Sequence, residues 1–223
     1  MTERRANPAV RVRLLEGAAR VLAEEGPSAL TLRRVATEAD TSTMAVYTHF
    51  GSMPDLADAV VAEGFARLAA LLVEVPATDD AITDLASLGR AYLVHARQNP
   101  NLYAVMFGTA SLGSYRPQTA SERERGRYTF DEIVAAARRA VDQGRLRAAD
   151  PLEIAGQLWT AMHGYVMLEV GGYFGDDGVE RVLVPMFASL LHGLGADRDA
   201  ALASIRTLAT AGAVTRRPRS RRP

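Results

Sequence analysis

The sequence predicts an all-α protein, a small three-helix head followed by a larger helical body. Three observations predict it. Apolar residues recur three and four apart along nearly the whole chain, and no stretch alternates apolar with polar as a half-buried strand would. Ser, Thr, Asp, Gly and Pro stand between the periodic runs, where helices start and stop. No internal repeat is present.

Leu14, Ala18, Val21 and Leu22 share one face of a first helix, which "EEGPS" ends with glycine and proline. Thr31 caps a short second helix whose buried stripe is Leu32, Val35, Ala36 and Ala39. Asp40-Thr41 turns the chain, and Ser42 caps a third helix to about Phe50. Ser52 opens a fourth helix with Pro54 in its first turn and Asp55 at the third position. Its inward residues are Leu56, Val60, Phe65, Leu68 and Leu72, and it ends before Pro76. A fifth helix runs from Asp79 or Asp80 to about Gln98, and a sixth from Asn99-Pro100 through Phe107. "GTASLGSYRPQTAS" reads as a polar loop. A seventh helix covers about Ser121 to Gln143, with Gly144 just past its end. Asp150-Pro151 starts an eighth, reaching about Val170. "GGYFGDDG" leads to a ninth that Pro185 should bend and that ends near Leu191. Residues 197–211 form a last short helix.

Composition narrows the function. The chain has 223 residues and no cysteine, which excludes disulfides, thiolate metal sites and cysteine nucleophiles. No two of its histidines stand at metal-ligand spacing, so neither a metal nor another cofactor is expected. The first residues lack the apolar core of a signal peptide, and the longest apolar run, "VLVPMFASLL", is too short to span a bilayer. A cytoplasmic protein without membrane contact is expected. The 26 basic residues, all arginine, equal the 26 acidic ones, but they are unevenly spread. Residues 1–52 hold seven arginines against six acids, the last nine residues hold five arginines and no acid, and the middle is acidic. Basic ends around an acidic body point to a polyanion partner. The tail, 212–223, reads as basic and disordered.

Residues 32–51 make two short helices joined by a tight turn, a helix-turn-helix whose second helix can enter the major groove of DNA. Val46 and Phe50, four apart, bury against the first two helices. Ser42, Thr43, Met44, Tyr47, Thr48 and His49 then face outward. Hydroxyls and an imidazole suit phosphate oxygens, and Thr or Met methyl groups can meet a thymine methyl. The stretch "LTLRRVATEADTSTMAVYTHFGSMPDL" resembles the DNA-binding head of the TetR family of bacterial transcriptional regulators, over roughly residues 8–68. Tyr47-x-His49-Phe50 is the most specific part. The resemblance implies that Thr31, Ser42, Tyr47 and His49 hold phosphates, and that Arg33, Thr43, Met44 and Thr48 lie at base edges. Two departures stand out: Asp40 where the family usually has glycine, and Met53 where it commonly has lysine, which removes one phosphate contact.

The body, residues 76–211, resembles the ligand-binding and dimerisation domain of a subgroup with a Trp-x-x-x-His-Gly element, here Trp159, His163 and Gly164. Trp159 and His163 share a face, with Tyr103, Met106 and Phe107 as candidate neighbours around an apolar pocket. His163 has two readings, pocket wall or hydrogen-bonded core residue. Leu183, Phe187, Leu190, Leu191 and Leu194 make a seam too apolar for solvent. The resemblance implies that the eighth and ninth helices pair with a second subunit. A homodimeric repressor follows, bound to a palindromic double-stranded operator and released by a small apolar effector. Two alternatives belong to other classes. "DDAITD", residues 79–84, could be the carboxylate cluster of an all-α, magnesium-dependent prenyl-diphosphate enzyme, although no second cluster accompanies it. A helical adaptor would leave the Tyr-x-His-Phe element unexplained.

Overall fold

The computed structural model describes residues 7–107, Ala110 and 126–209. Among these residues every regular element is helical. The basic tail and most of the polar loop at 108–121 lie outside the described residues, as does the start of the expected seventh helix at Ser121. The described residues form two compact units. One holds the chain up to Ala70 together with Gln98–Thr129, and the other holds Leu71–Arg97 and the residues from Phe130 on.

The first unit contains α1 (Pro8–Glu25), α2 (Leu32–Glu38), α3 (Thr43–Phe50), most of α4 (Met53–Val73) and α6 (Pro100–Met106). Asn7 caps α1 by accepting from Ala9 N–H at 3.0 Å, and Pro8 stands at the first helical position, where no N–H is needed. Leu14, Ala18, Val21 and Leu22 form its buried face, packed against Val35 and Ala36 of α2. Ser52 and Asp55 reciprocate at the start of α4, the hydroxyl donating to Oδ2 at 2.6 Å and accepting from Asp55 N–H at 3.3 Å. The expected head ended at residue 68, yet α6 packs in this unit too. A side chain at Gly64 of α4 would come within 2.6 Å of Met106 Sδ, so glycine leaves the room that the Met106 side chain of α6 fills. Asn101 Nδ2 also donates to the Ala23 carbonyl of α1 at 3.1 Å.

The second unit contains the last turn of α4, α5 (Ala81–Gln98), α7 (Asp131–Asp142), α8 (Pro151–Val170), α9 (Val184–Gly193) and α10 (Arg198–Ala209). Asp150 caps α8 by accepting from Leu152 N–H at 2.9 Å. A π-helical turn, Val179–Leu183, leads into α9 in place of a bend at Pro185. The wider turn suits a residue that has no N–H to give and would crowd the carbonyl four residues back. One expectation is corrected here. Leu183, Phe187, Leu191 and Leu194 are each 5% exposed or less within the single chain, and Leu190 is half-buried. Four of the five seam residues therefore belong to the subunit's own core, where α9 packs against both α10 and α8.

Two acids tie this unit together. Asp84, almost wholly buried, accepts from Thr78 Oγ1 at 2.7 Å and pairs with Arg139 of α7 at 2.7 Å. Asp80 joins Arg145, Thr83 and Ser204 of α10. Burial alone would raise the Asp80 pKa, but hydrogen bonds from Ser204, Thr83 and the Ile82 N–H, with Arg145 alongside, hold it below the usual carboxylate range. Farther along α5, Arg97 meets the buried Glu169 of α8 at 2.7 Å, and Tyr165 donates to the same carboxylate at 2.8 Å. Removing one member of such a pair strands a buried charge, at a cost of about 3–5 kcal/mol.

Candidate nucleic-acid interface and effector cavity

The turn between α2 and α3 is closed by Thr41 N–H donating to the Ala36 carbonyl at 2.9 Å. Asp40 takes φ +48°, the left-handed region that its short polar side chain enters more readily than most. Val46 and Phe50 are buried beneath α3, which fixes the helix by its apolar side. Met44 is 70% exposed and Tyr47 47%. Ser42, Thr43 and Thr48 are exposed as well, and His49 is half-buried. Of the six residues expected to face outward, five are exposed and His49 only partly so.

The hydroxyls divide by what they already do. Ser42 Oγ accepts from Ala45 N–H at 3.2 Å, and Thr31 Oγ1 accepts from Arg34 N–H at 3.2 Å. Each cap spends a lone pair inward and keeps its proton for an outside acceptor such as a phosphate oxygen. Thr48 is different. Its hydroxyl donates to the Met44 carbonyl at 2.9 Å, which leaves a lone pair and a methyl group facing outward. That pattern matches a base edge better than a phosphate.

The adjacent arginines also separate. Arg34 pairs with Glu25 of α1 at 2.7 Å and with Glu38 at 2.9 Å, and Arg20 of α1 meets Glu38 at 2.9 Å. Glu25, then Glu38, raise the Arg34 pKa, while Arg20, then Arg34, lower that of Glu38. Arg33 takes no part in these ion pairs and is exposed. Arg11 of α1 lies over the Phe50 ring, 5.0 Å from its centroid, at the far end of α3.

The second unit holds a small apolar cavity of about 30 Å³. Leu85, Leu88, Gly89 and Tyr92 line it from α5, Ile133 from α7, Leu158, Trp159 and Met162 from α8, and Phe187 from α9. Behind Tyr92 its hydroxyl meets His163 Nδ1 at 2.9 Å, and His163 stacks on Trp159 at 5.1 Å. Burial lowers the His163 pKa, so the imidazole is neutral near pH 7. Of the five residues expected at a pocket, Trp159 lines the cavity and His163 backs it. Tyr103, Met106 and Phe107 are not among its lining. They belong to the first unit, where Phe107 lies 4.7 Å from Tyr103 and 5.6 Å from Phe65. The acidic cluster at 79–84 is likewise accounted for, since Asp80 and Asp84 are both engaged by arginines and hydroxyls.

Residues 14–60 match the sequence profile for bacterial regulatory proteins of the tetR family, and residues 85–194 match the tetracyclin repressor-like C-terminal domain. The chain belongs to the TetR family. Among relatives, it is 29% identical over 185 residues to the uncharacterized HTH-type transcriptional regulator Rv0681 of Mycobacterium tuberculosis, covering 81% of this chain and 79% of that one. It is 28% identical over 175 residues to the HTH-type transcriptional repressor AcnR of Corynebacterium diphtheriae, covering 78% and 87%. A protein of unknown function from Rhodococcus sp. RHA1 has a similar structure, with TM-score 0.65 and 26% identity over 95% of this chain and 97% of that one.

Within this TetR-family chain, sequence reasoning missed Arg34 as the clasp between α1 and α2. The signal was available in Glu38, four residues on. It also missed most of the cavity wall. Leu85, Leu88 and Tyr92 recur at helical spacing on α5, but periodicity marks a buried face without telling a packed one from a hollow one. Nothing local pointed to Arg11 beside Phe50.

Proposed function

We propose that this TetR-family transcriptional regulator is a homodimeric repressor whose two heads bind a palindromic operator, and that a small apolar effector in the body releases it. The observation that carries the reading is the outer face of α3 and the start of α2. Cap hydroxyls of Thr31 and Ser42 keep their protons for phosphates, Tyr47 and His49 stand beside them, and Arg33, Thr43, Met44 and Thr48 offer the base-reading surface. The sign of regulation follows AcnR, a repressor by name. Two heads on a palindrome need centres about 34–36 Å apart, one helical turn of DNA.

With most of the leucine seam spent inside the subunit, the dimer face moves to the outer side of α8. There Thr160, Gly164 and Leu168 are exposed at helical spacing, and a side chain added at Gly164 would meet nothing within 4 Å. Small residues at such spacing let two helices approach closely, and Leu168, 46% exposed, supplies apolar area. Among the described residues no helix is long and apolar enough to cross a membrane, which agrees with action on DNA in the cytoplasm.

Selection of genomic fragments by the purified protein tests the reading. Recovery of a two-fold symmetric sequence, with affinity that falls steeply as salt rises, is the expected result. Binding of random DNA with no enriched sequence would refute it.

A further inference from the structure

We infer that Arg11, held over the Phe50 ring, is a phosphate clamp that α1 adds beside the outer face of α3. The inference rests on the DNA-binding reading above and extends that interface to a residue outside the helix-turn-helix.

Three observations carry it. First, the helix period sets where Arg11 goes. Leu14, Ala18, Val21 and Leu22 form the buried face of α1, and Arg11 continues that line one turn earlier, where the chain is exposed. Its guanidinium carbon lies 5.0 Å from the centroid of the Phe50 ring. A cation over an aromatic face is attracted by the ring's quadrupole, so part of the side chain's freedom is lost before any ligand arrives. Second, the seat adjoins the outward face of the head. Tyr47 and Phe50 are three apart on α3 and are therefore surface neighbours, and Tyr47 is 47% exposed. Third, the charge is uncommitted. Arg20, Arg34 and Arg67 are paired with Glu38, Glu25 and Glu63. Among the described residues Arg11 has no ion pair and no hydrogen-bond acceptor. Its forked N–H donors are left for an acceptor from outside, and the oxygens of a phosphate match that fork.

Arg11→Met keeps a stem over Phe50 and removes the charge. Arg13→Met removes an equal charge from another, exposed face of α1. The full-length parent and both variants are titrated with a selected genomic fragment and with a random duplex of the same length, across about 0.05–0.2 M salt. Arg11→Met is expected to melt like the parent and to bind both duplexes about tenfold more weakly at the lowest salt. Its slope of log affinity against log salt should be shallower by about one per head. Arg13→Met should keep the parent's slope, and so should Arg11→Lys, which retains the charge. An unchanged slope in Arg11→Met, with salt-dependent binding by the parent, overturns the clamp and leaves the DNA-binding reading standing. An equal loss in Arg13→Met overturns it too, since net charge alone would then explain the effect. Loss of slope in Arg11→Lys would assign the effect to packing, and a loss confined to the selected fragment would make Arg11 a base reader; either result overturns the clamp. No salt-dependent binding by the parent sinks the clamp and the DNA-binding reading together.

Discussion

Ser42→Asp separates the helix cap from the phosphate contact proposed for the same hydroxyl. In the parent, Ser42 Oγ accepts from Ala45 N–H at 3.2 Å, so the residue caps α3 while its proton is kept for phosphate. Aspartate caps as well as serine, and its charge at the positive end of the helix adds about 0.3–1 kcal/mol. The fold should therefore melt at the same temperature or higher. Against DNA the result reverses. A carboxylate about 4 Å from a phosphate, at an effective dielectric of about 20, repels it by about 4 kcal/mol, and the lost hydrogen bond to a charged acceptor adds about 1.5–3 kcal/mol. Allowing for salt screening, affinity should fall by about a thousandfold. Ser42→Ala gives the contrasting pattern, losing about 1 kcal/mol of stability with the cap and DNA affinity only through the missing donor. Thermal melts and competition binding on a selected fragment give both readings from one preparation. A Ser42→Asp protein that melts like the parent and binds as tightly would show that the start of α3 does not face phosphate.

Three further outcomes are expected. Arg33→Ala should leave the melt unchanged and flatten base preference at one position per half-site, a loss of about 1–3 kcal/mol of discrimination, whereas Arg34→Ala should lower stability by opening the α1–α2 clasp; substituted operators and melts tell the two apart. Phe187→Ala should cost about 3–5 kcal/mol of stability without dissociating dimers, while Gly164→Arg should split the dimer, and sedimentation checks both. Because Asp80 is held below its unfolded pKa, its contribution is present at neutral pH and is lost as pH falls from about 4 through the folded value. The stability gap between the parent and Asp80→Asn should accordingly shrink in acid melts.

The head was legible because its signals are local. Thr31, Ser42 and Ser52 are cap residues at the right distance from apolar runs, and caps act within four residues. Asp40 announced a turn by its chemistry, and the structure places it at positive φ. The body was harder because its decisive contacts join residues far apart in sequence. The stripe at 183–194 is apolar whether it faces a partner or the chain's own helices, and only the packing of the elements around α9 decides. Tyr103, Met106 and Phe107 follow α5 directly, so sequence order assigned them to the body. They pack in the first unit instead, with Met106 filling the space beside Gly64, some forty residues earlier. The cavity has no local signature at all, since an absent side chain at Gly89 leaves no mark in a periodic pattern.

The division among outward-facing residues bears on how a new operator could be acquired. Ser42 and Thr31 cap helix ends and, on the proposed reading, also hold phosphates, so removing either hydroxyl would weaken the fold and the affinity for every sequence at once. Arg33, Thr43 and Met44 carry no comparable duty: Arg33 lies outside the α1–α2 charge chain, and the Met44 side chain stands in solvent. After gene duplication, drift at these three positions would change which sequence is read and leave intact the machinery that grips any sequence. The head thus separates its evolvable alphabet from its fixed grip, and a daughter copy could leave its parent's operator without passing through an unstable intermediate.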